Sequence, residues 1–314
     1  MTSILETKEL VKKYSEITAV NGISFDIREG EIFSLLGPNG AGKTTTISML
    51  STLFPPTSGD AFIGGHSVLR EPMAVRNLIG VVPQELALYE DLTARENLIF
   101  WGQMYGLSGK SLRMRIDEVL EQIGLADKAK VRVKTYSGGM KRRVNIGVGL
   151  LHKPRLLFMD EPTVGIDPQS RRAILDSVKG LNQQGMTVLY TTHYMEEAEE
   201  LSDRVGIIDH GDLIALGTQA ELNRQVGEND TLVLHVDETQ NGETLAVAVR
   251  NIRGVLKADV TDHTVAVLTS QAETIMAPVI LKANELGMKI RSVDIQEPNL
   301  EAVFLTLTGR ALRD

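Results

Sequence analysis

Residues Gly37-Pro38-Asn39-Gly40-Ala41-Gly42-Lys43-Thr44 fit G-x-x-x-x-G-K-[ST] at every fixed position. Glycines let a backbone wrap closely, so that consecutive amides point at phosphate oxygens. A following helix adds the partial positive charge of its N-terminus. Lys43 is the cation expected at the β- and γ-phosphates, and the Thr44 hydroxyl is the expected Mg²⁺ ligand. A second constellation is Leu156-Leu157-Phe158-Met159-Asp160-Glu161, an apolar run ending in two carboxylates. In a parallel sheet such a run ends where ligands bind. Asp160 is then placed to hold Mg²⁺, and Glu161 to position and polarise an attacking water.

The elements that must carry these groups read as α/β. Ile32–Leu36 is a short buried strand leading into the glycine loop, and Lys43–Ser51 a helix after it. Turns at Asn21-Gly22 and Glu29-Gly30 flank short apolar segments, which predicts β-rich structure before residue 32. Residues 86–155 read as mainly helical. Thr93-Ala94-Arg95-Glu96 is a capping-box pattern, and a second helix spans about Leu112–Ile123. Leu156–Met159 and Thr187–Tyr190 are uninterrupted apolar strands with a helix between them, a right-handed β-α-β unit. The polar stretch 223–230 reads as a linker between a domain over 1–222 and a second over 231–314. The second is expected to be a small α+β domain of ferredoxin-like layout, with Pro278 kinking or delaying a helix over Ala272–Leu286 that has Ile275, Val279, Ile280, Ala283 and Leu286 on one face, and Asn299 capping a last helix with Leu300, Val303, Phe304 and Leu307 inward.

Composition narrows the function. Lys and Arg number 33 against 41 Asp and Glu, a net charge of −8, which argues against holding nucleic acid by bulk charge. Aromatic residues are 4 %, too few for a single-strand stacking platform. There is no cysteine, hence no disulfide or thiolate metal site. Met1–Glu6 lacks the pattern of a signal peptide, and nowhere do about 18 apolar residues run together. A soluble chain is expected, with any membrane role supplied by partners. Lys141-Arg142-Arg143 reads as a solvated helix face.

Further motifs fall in a fixed order along the chain: Tyr14, Gln84 in Val81-Val82-Pro83-Gln84-Glu85, Tyr136-Ser137-Gly138-Gly139-Met140, Val164-Gly165-Ile166-Asp167 and Thr191-Thr192-His193. With the two phosphate elements, this set resembles the ATPase subunits of ABC transporters over about residues 3–220. The resemblance implies a P-loop cassette with a mixed-sheet core, an N-terminal antiparallel β subdomain and an inserted helical subdomain. It implies ATP and Mg²⁺ as ligands. Tyr14 would stack on adenine, and the loop Gly37–Thr44 with Thr45 would hold the phosphates. Gln84 would ligand Mg²⁺ or the water, His193 would donate to the γ-phosphate and anchor Glu161, and Asp167 would sit in the D-loop. Ser137, Gly138 and Gly139 would form the signature motif and bind the γ-phosphate of ATP held by the opposite subunit. The resemblance therefore implies a homodimer, or a paired ATPase subunit, sandwiching ATP. Tyr136 and Met140 replace the usual Leu and Gln, and Met140 cannot donate a hydrogen bond.

Three outputs suit such an engine: export through separate transmembrane subunits, import, or work on DNA or ribosomes. One cassette, no long coiled coil and an acidic balance argue against the last. Leu86, Leu88, Tyr89 and Trp101 are candidate contacts for a permease helix, with core packing as the alternative for Trp101. The tail Glu297–Arg310 resembles the C-terminal end of daunorubicin-resistance-type exporter ATPases. That resemblance implies export of a drug, antibiotic or lipid from the cytoplasmic face of the membrane.

Overall fold

The computed structural model describes residues 2–226, 230–237, 242–261, 264–296 and 299–308. The described residues divide into two compact units, one up to Thr218 and one from Gln219 to Thr308.

The first unit is built on a six-stranded sheet. In spatial order its strands are Asp212–Gly217, Arg204–Asp209, Ile32–Leu36, Thr187–Thr192, Leu156–Asp160 and Ile79–Val82. Only the pairing of Asp212–Gly217 with Arg204–Asp209 is antiparallel; the remaining pairs are parallel. The apolar strands alternate between two cores, as a pleat demands. Leu156 and Phe158, with Phe33 and Leu35, face one apolar cluster; Leu157 and Met159 face the other. The first cluster is closed by a five-stranded antiparallel sheet whose strands lie within Ser3–Ser67. The second is closed by helices, among them Ala94–Met104, Gly109–Gln122 and Gly138–Leu150.

The capping box is present: Glu96 N donates to Thr93 Oγ1 at 3.1 Å, and Thr93 N to Glu96 Oε2 at 2.8 Å. Trp101 is partly buried against the helical core and donates Nε1–H to Ala87 O at 3.0 Å.

The second unit has strand order Val255–Thr261, Thr264–Thr269, Asp230–Val236, Ile290–Gln296, all antiparallel. With helices Gly242–Val249 and Ala272–Glu285 this is a β-α-β-β-α-β ferredoxin-like layout. Four expectations need correction. Residues 223–226 are not linker but part of helix Gln219–Val226, whose fully buried Leu222 lies one turn into an otherwise polar segment; 227–229 lie outside the described residues. The helix Ala272–Glu285 begins ahead of Pro278, so its start is not delayed, and it buries Ile275, Val279 and Ala283, while Leu286, expected inward, is its exposed C-cap. In the last helix, Leu300–Thr308, Leu300, Val303 and Phe304 are buried but Leu307 is exposed.

Candidate functional site: a phosphate cleft at the sheet edge

Parallel strands bring their carboxyl ends to one edge, and the chemistry-bearing residues converge there. Gly37 follows Leu36; Glu161 follows Asp160; His193 follows Thr192; and Gln84 lies just past Val82. A cleft of ≈ 220 Å³ at this edge is lined by Asn39, Gly40, Gly42, Lys43, Thr44 and Thr45 from the loop and helix, with Ala19, Gln84 and Glu161.

The loop is shaped so that only glycine fits at key points. A Cβ on Gly37 would stand 2.1 Å from Ile208 O, and one on Gly42 would stand 2.5 Å from Ala19 O. Gly42 also has φ +108°, a region that side chains rarely adopt. It is the N-cap of Lys43–Leu50, and no side chain caps that helix start. The first-turn amides of Lys43, Thr44 and Thr45 have no intrahelical acceptor and are donors for an anion. Pro38 and Ala41 complete the loop, with Ala41 N donating to Pro38 O at 3.2 Å.

Lys43 is 3 % exposed, and its ammonium is enclosed by oxygens: Gly37 O at 2.7 Å, Pro38 O at 2.9 Å and Glu161 Oε1 at 2.9 Å. His193, also buried, has Nδ1 3.4 Å from Glu161 Oε2 and no hydrogen bond to it. Asp160 Oδ1 accepts from Thr191 Oγ1 at 2.8 Å and from Thr44 Oγ1 at 3.2 Å. Burial pushes the Asp160 carboxyl above the ordinary aspartate value, against those two hydrogen bonds; the Glu161 charge pushes the same way and Lys43 the other. A divalent cation beside Asp160 would reverse that cost. Among the described residues no three His, Cys, Asp or Glu side chains cluster to hold a metal. A cation here would take Thr44, Asp160 and Gln84 together with substrate phosphate oxygens, which is how Mg²⁺ is commonly held. The donor set fits Mg²⁺ and a polyphosphate.

The remaining motif residues stand apart from the cleft lining. Tyr14, half-exposed, packs edge-on against Phe54 at 6.0 Å, with Lys12 over both rings. Ser137 is the N-cap of Gly138–Leu150, accepting from Met140 N at 3.3 Å, and Ser137 and Gly138 are exposed. Gly139 faces Ser170: a Cβ there would stand 2.3 Å from the Ser170 Cβ. Asp167 caps the helix Pro168–Gln183 by accepting from Ser170 N at 2.9 Å. Tyr136 is buried and donates its hydroxyl to Lys128 O at 2.7 Å, so its replacement of Leu has an internal partner.

Two functional neighbours were not singled out by sequence. Thr191 pairs in register with Asp160, donates to its carboxylate and accepts from Glu161 N at 3.0 Å, so one hydroxyl holds the Asp160 carboxylate and the Glu161 backbone. Its signal was its place two residues before His193 on a parallel strand. Arg142 corrects the expectation of a solvated face: it is 4 % exposed and donates to Pro83 O at 2.8 Å and Gln84 O at 2.7 Å. Its neighbours also have specific partners: Lys141 bridges to Glu90, and Arg143 donates to Ile123 O and Gly124 O. Nothing local in sequence separates an inward arginine from two outward cations.

Comparison with known proteins agrees with this geometry. The profile of the ABC transporter family matches residues 20–164. The linearmycin resistance ATP-binding protein LnrL of Bacillus subtilis (strain 168) is 50 % identical, covering 99 % of this chain and 100 % of that one. The daunorubicin/doxorubicin resistance ATP-binding protein DrrA of Streptomyces peucetius is 40 % identical over 100 % of this chain and 94 % of its own. Among solved structures, an ATP-binding subunit of an ABC transporter superposes with TM-score 0.63 at 32 % identity, covering 71 % of this chain and 93 % of that one. The chain belongs to the ABC transporter family as an ATP-binding subunit. It is an ATPase coupled to transport.

Proposed function

We propose that this chain powers export of a hydrophobic compound, of drug, antibiotic or lipid class, through separate transmembrane subunits. The observation that carries the ATPase chemistry is the Lys43–Glu161–His193 cluster beneath the phosphate loop. In this reading Lys43 and the loop amides, with those of Thr44 and Thr45, hold the β- and γ-phosphates, and Tyr14 faces the nucleobase. Glu161 accepts the proton of the attacking water while His193 faces the γ-phosphate. The P–O bond to the γ-phosphorus breaks, and ADP leaves with the freed oxygen. Mg²⁺, when bound, would be held by Thr44, Asp160 and Gln84 and would supply neutralisation of phosphate charge. Ser137, Gly138 and Gly139 present a hydroxyl and a helix start outward, where they suit ATP held by a second copy or a paired subunit. Asp167 caps the adjoining helix and sets that loop's shape. Hydrolysis then follows closure of two subunits around ATP.

The direction of transport rests on relatives. LnrL and DrrA are named for antibiotic and drug resistance, and a 38 % identical protein of Ralstonia nicotianae is named for Nod factor export. No helix among the described residues is long and apolar enough to cross a membrane. The pore is therefore assigned to partner subunits, with this chain at the cytoplasmic face. Leu86 and Tyr89 are exposed beside Gln84 and suit an incoming permease helix. Co-expression with the adjacent genes tests this. Co-purification with a polytopic membrane protein, and ATP-dependent efflux lost in Glu161→Gln, is the expected result; a chain that never enriches with membranes defeats it.

A further inference from the structure

A buried network beside His193 has no place in the hydrolytic scheme above. Glu197, 1 % exposed, lies in helix Met195–Leu201. Its Oε1 accepts from Thr163 Oγ1 at 2.7 Å, and its Oε2 from Tyr190 OH at 2.9 Å and Thr192 Oγ1 at 2.8 Å. Arg171 Nε stands 3.5 Å from Glu197 Oε1. The same guanidinium lies over the Tyr194 ring, 4.2 Å from its centre. The Tyr194 ring in turn packs on the His193 ring, with centres 4.1 Å apart and planes tilted by 42°.

Three features give this arrangement a direction. Thr163 and Arg171 bracket Asp167, one before it and one in the first turn of the helix it caps. Burying a carboxylate is costly unless its acceptors are filled, and here three hydroxyls fill them, which locks Glu197 in place. His193 Nδ1 makes no hydrogen bond, so the ring's orientation is set by what packs on its face rather than by a partner at that nitrogen. The neighbouring Arg172 shows the contrast: it turns outward to Asp176 and Glu200. From Glu197 to His193 the chain of contact is continuous, through the Arg171 cation and the Tyr194 ring.

We infer that Arg171 and Glu197 are positioning residues for His193, acting through Tyr194, and that they transmit the geometry of the Asp167 loop to that histidine. The inference rests on the reading of His193 as a γ-phosphate-facing group.

The test is a double-mutant cycle on ATP turnover of the full-length chain, with ATP affinity by calorimetry and folding by thermal melts. Arg171→Ala is expected to lower kcat by about 10- to 100-fold, the scale of a small misplacement at a reacting centre, with ATP affinity unchanged. In a His193→Ala background the same substitution is expected to have no further effect on kcat. Tyr194→Phe keeps the ring face and should keep turnover, whereas Tyr194→Ala should match Arg171→Ala. Arg171→Met, which keeps the aliphatic bulk, serves if Arg171→Ala does not fold. An Arg171→Ala loss that repeats in full without His193, or that falls on KM alone, overturns the inference. Parent-level turnover in His193→Ala instead overturns the site reading beneath it.

Discussion

Glu161 has φ +43°, a left-handed conformation that costs a non-glycine residue about 1–3 kcal/mol and collects at functional sites. Its amide is held by the Thr191 carbonyl at 3.2 Å and hydroxyl at 3.0 Å, which fixes the carboxylate against Lys43. Glu161→Gln keeps the shape and removes the proposed base. It is expected to bind ATP as the parent does and to lose turnover by about 10²–10⁴-fold, read by phosphate release. Asp160 gives a pH-dependent prediction. Its folded pKa is raised, so the folded chain holds the proton more tightly than the unfolded chain. Stability then falls as pH rises from the ordinary aspartate value through the raised one, and the loss is complete above it. Without ATP or Mg²⁺, Asp160→Asn should therefore melt higher than the parent at neutral pH. The gain should vanish in acid, while Mg²⁺-dependent ATP binding is lost; equal melting at neutral pH would remove burial as the dominant effect. The phosphate loop was legible because its chemistry is contiguous in sequence. Thr191, Arg142 and Glu197 were not, because their partners are brought to them by strand register and helix packing.

At the scale of elements, the start of the signature helix and the start of the helix capped by Asp167 touch through Gly139 and Ser170, where even one methyl group has no room. Gly139→Ala should cost about 1–3 kcal/mol by overpacking and lower turnover with it, measured by urea unfolding and ATPase rate. Ser170→Gly in the same chain should recover most of the stability, less about 1 kcal/mol for glycine in a helix. A Gly139→Ala chain of parent stability would separate the two helices. Helices with caps and clean periodicity, such as Ala94–Met104, were readable from sequence alone. Gln219–Val226 was not: its segment is polar, and its helical state follows from burying Leu222 and packing on Leu300–Thr308. Pro278 did not delay its helix, since one missing amide bond did not outweigh the buried Ile275, Val279 and Ala283.

At the scale of the molecule, both apolar clusters of the ATPase unit are complete before residue 219, and the second unit has a cluster of its own. A chain ended at Thr218 is therefore expected to fold and to bind ATP with unchanged affinity, measured by calorimetry. Loss of ATP binding would make the second unit part of the site. The central strand order carries one more consequence, for the ribosome. Strands of the antiparallel sheet all lie within Ser3–Ser67 and can pair as they emerge. Ile32–Leu36, the strand that delivers the phosphate loop, has its two neighbours at Thr187–Thr192 and Arg204–Asp209. At typical synthesis speeds it waits roughly 8–30 s for the first of them, with Phe33 and Leu35 unpaired on both edges. The phosphate loop is thus made early and placed late, and nascent chains stopped short of Thr187 should be chaperone-bound and unable to retain ATP.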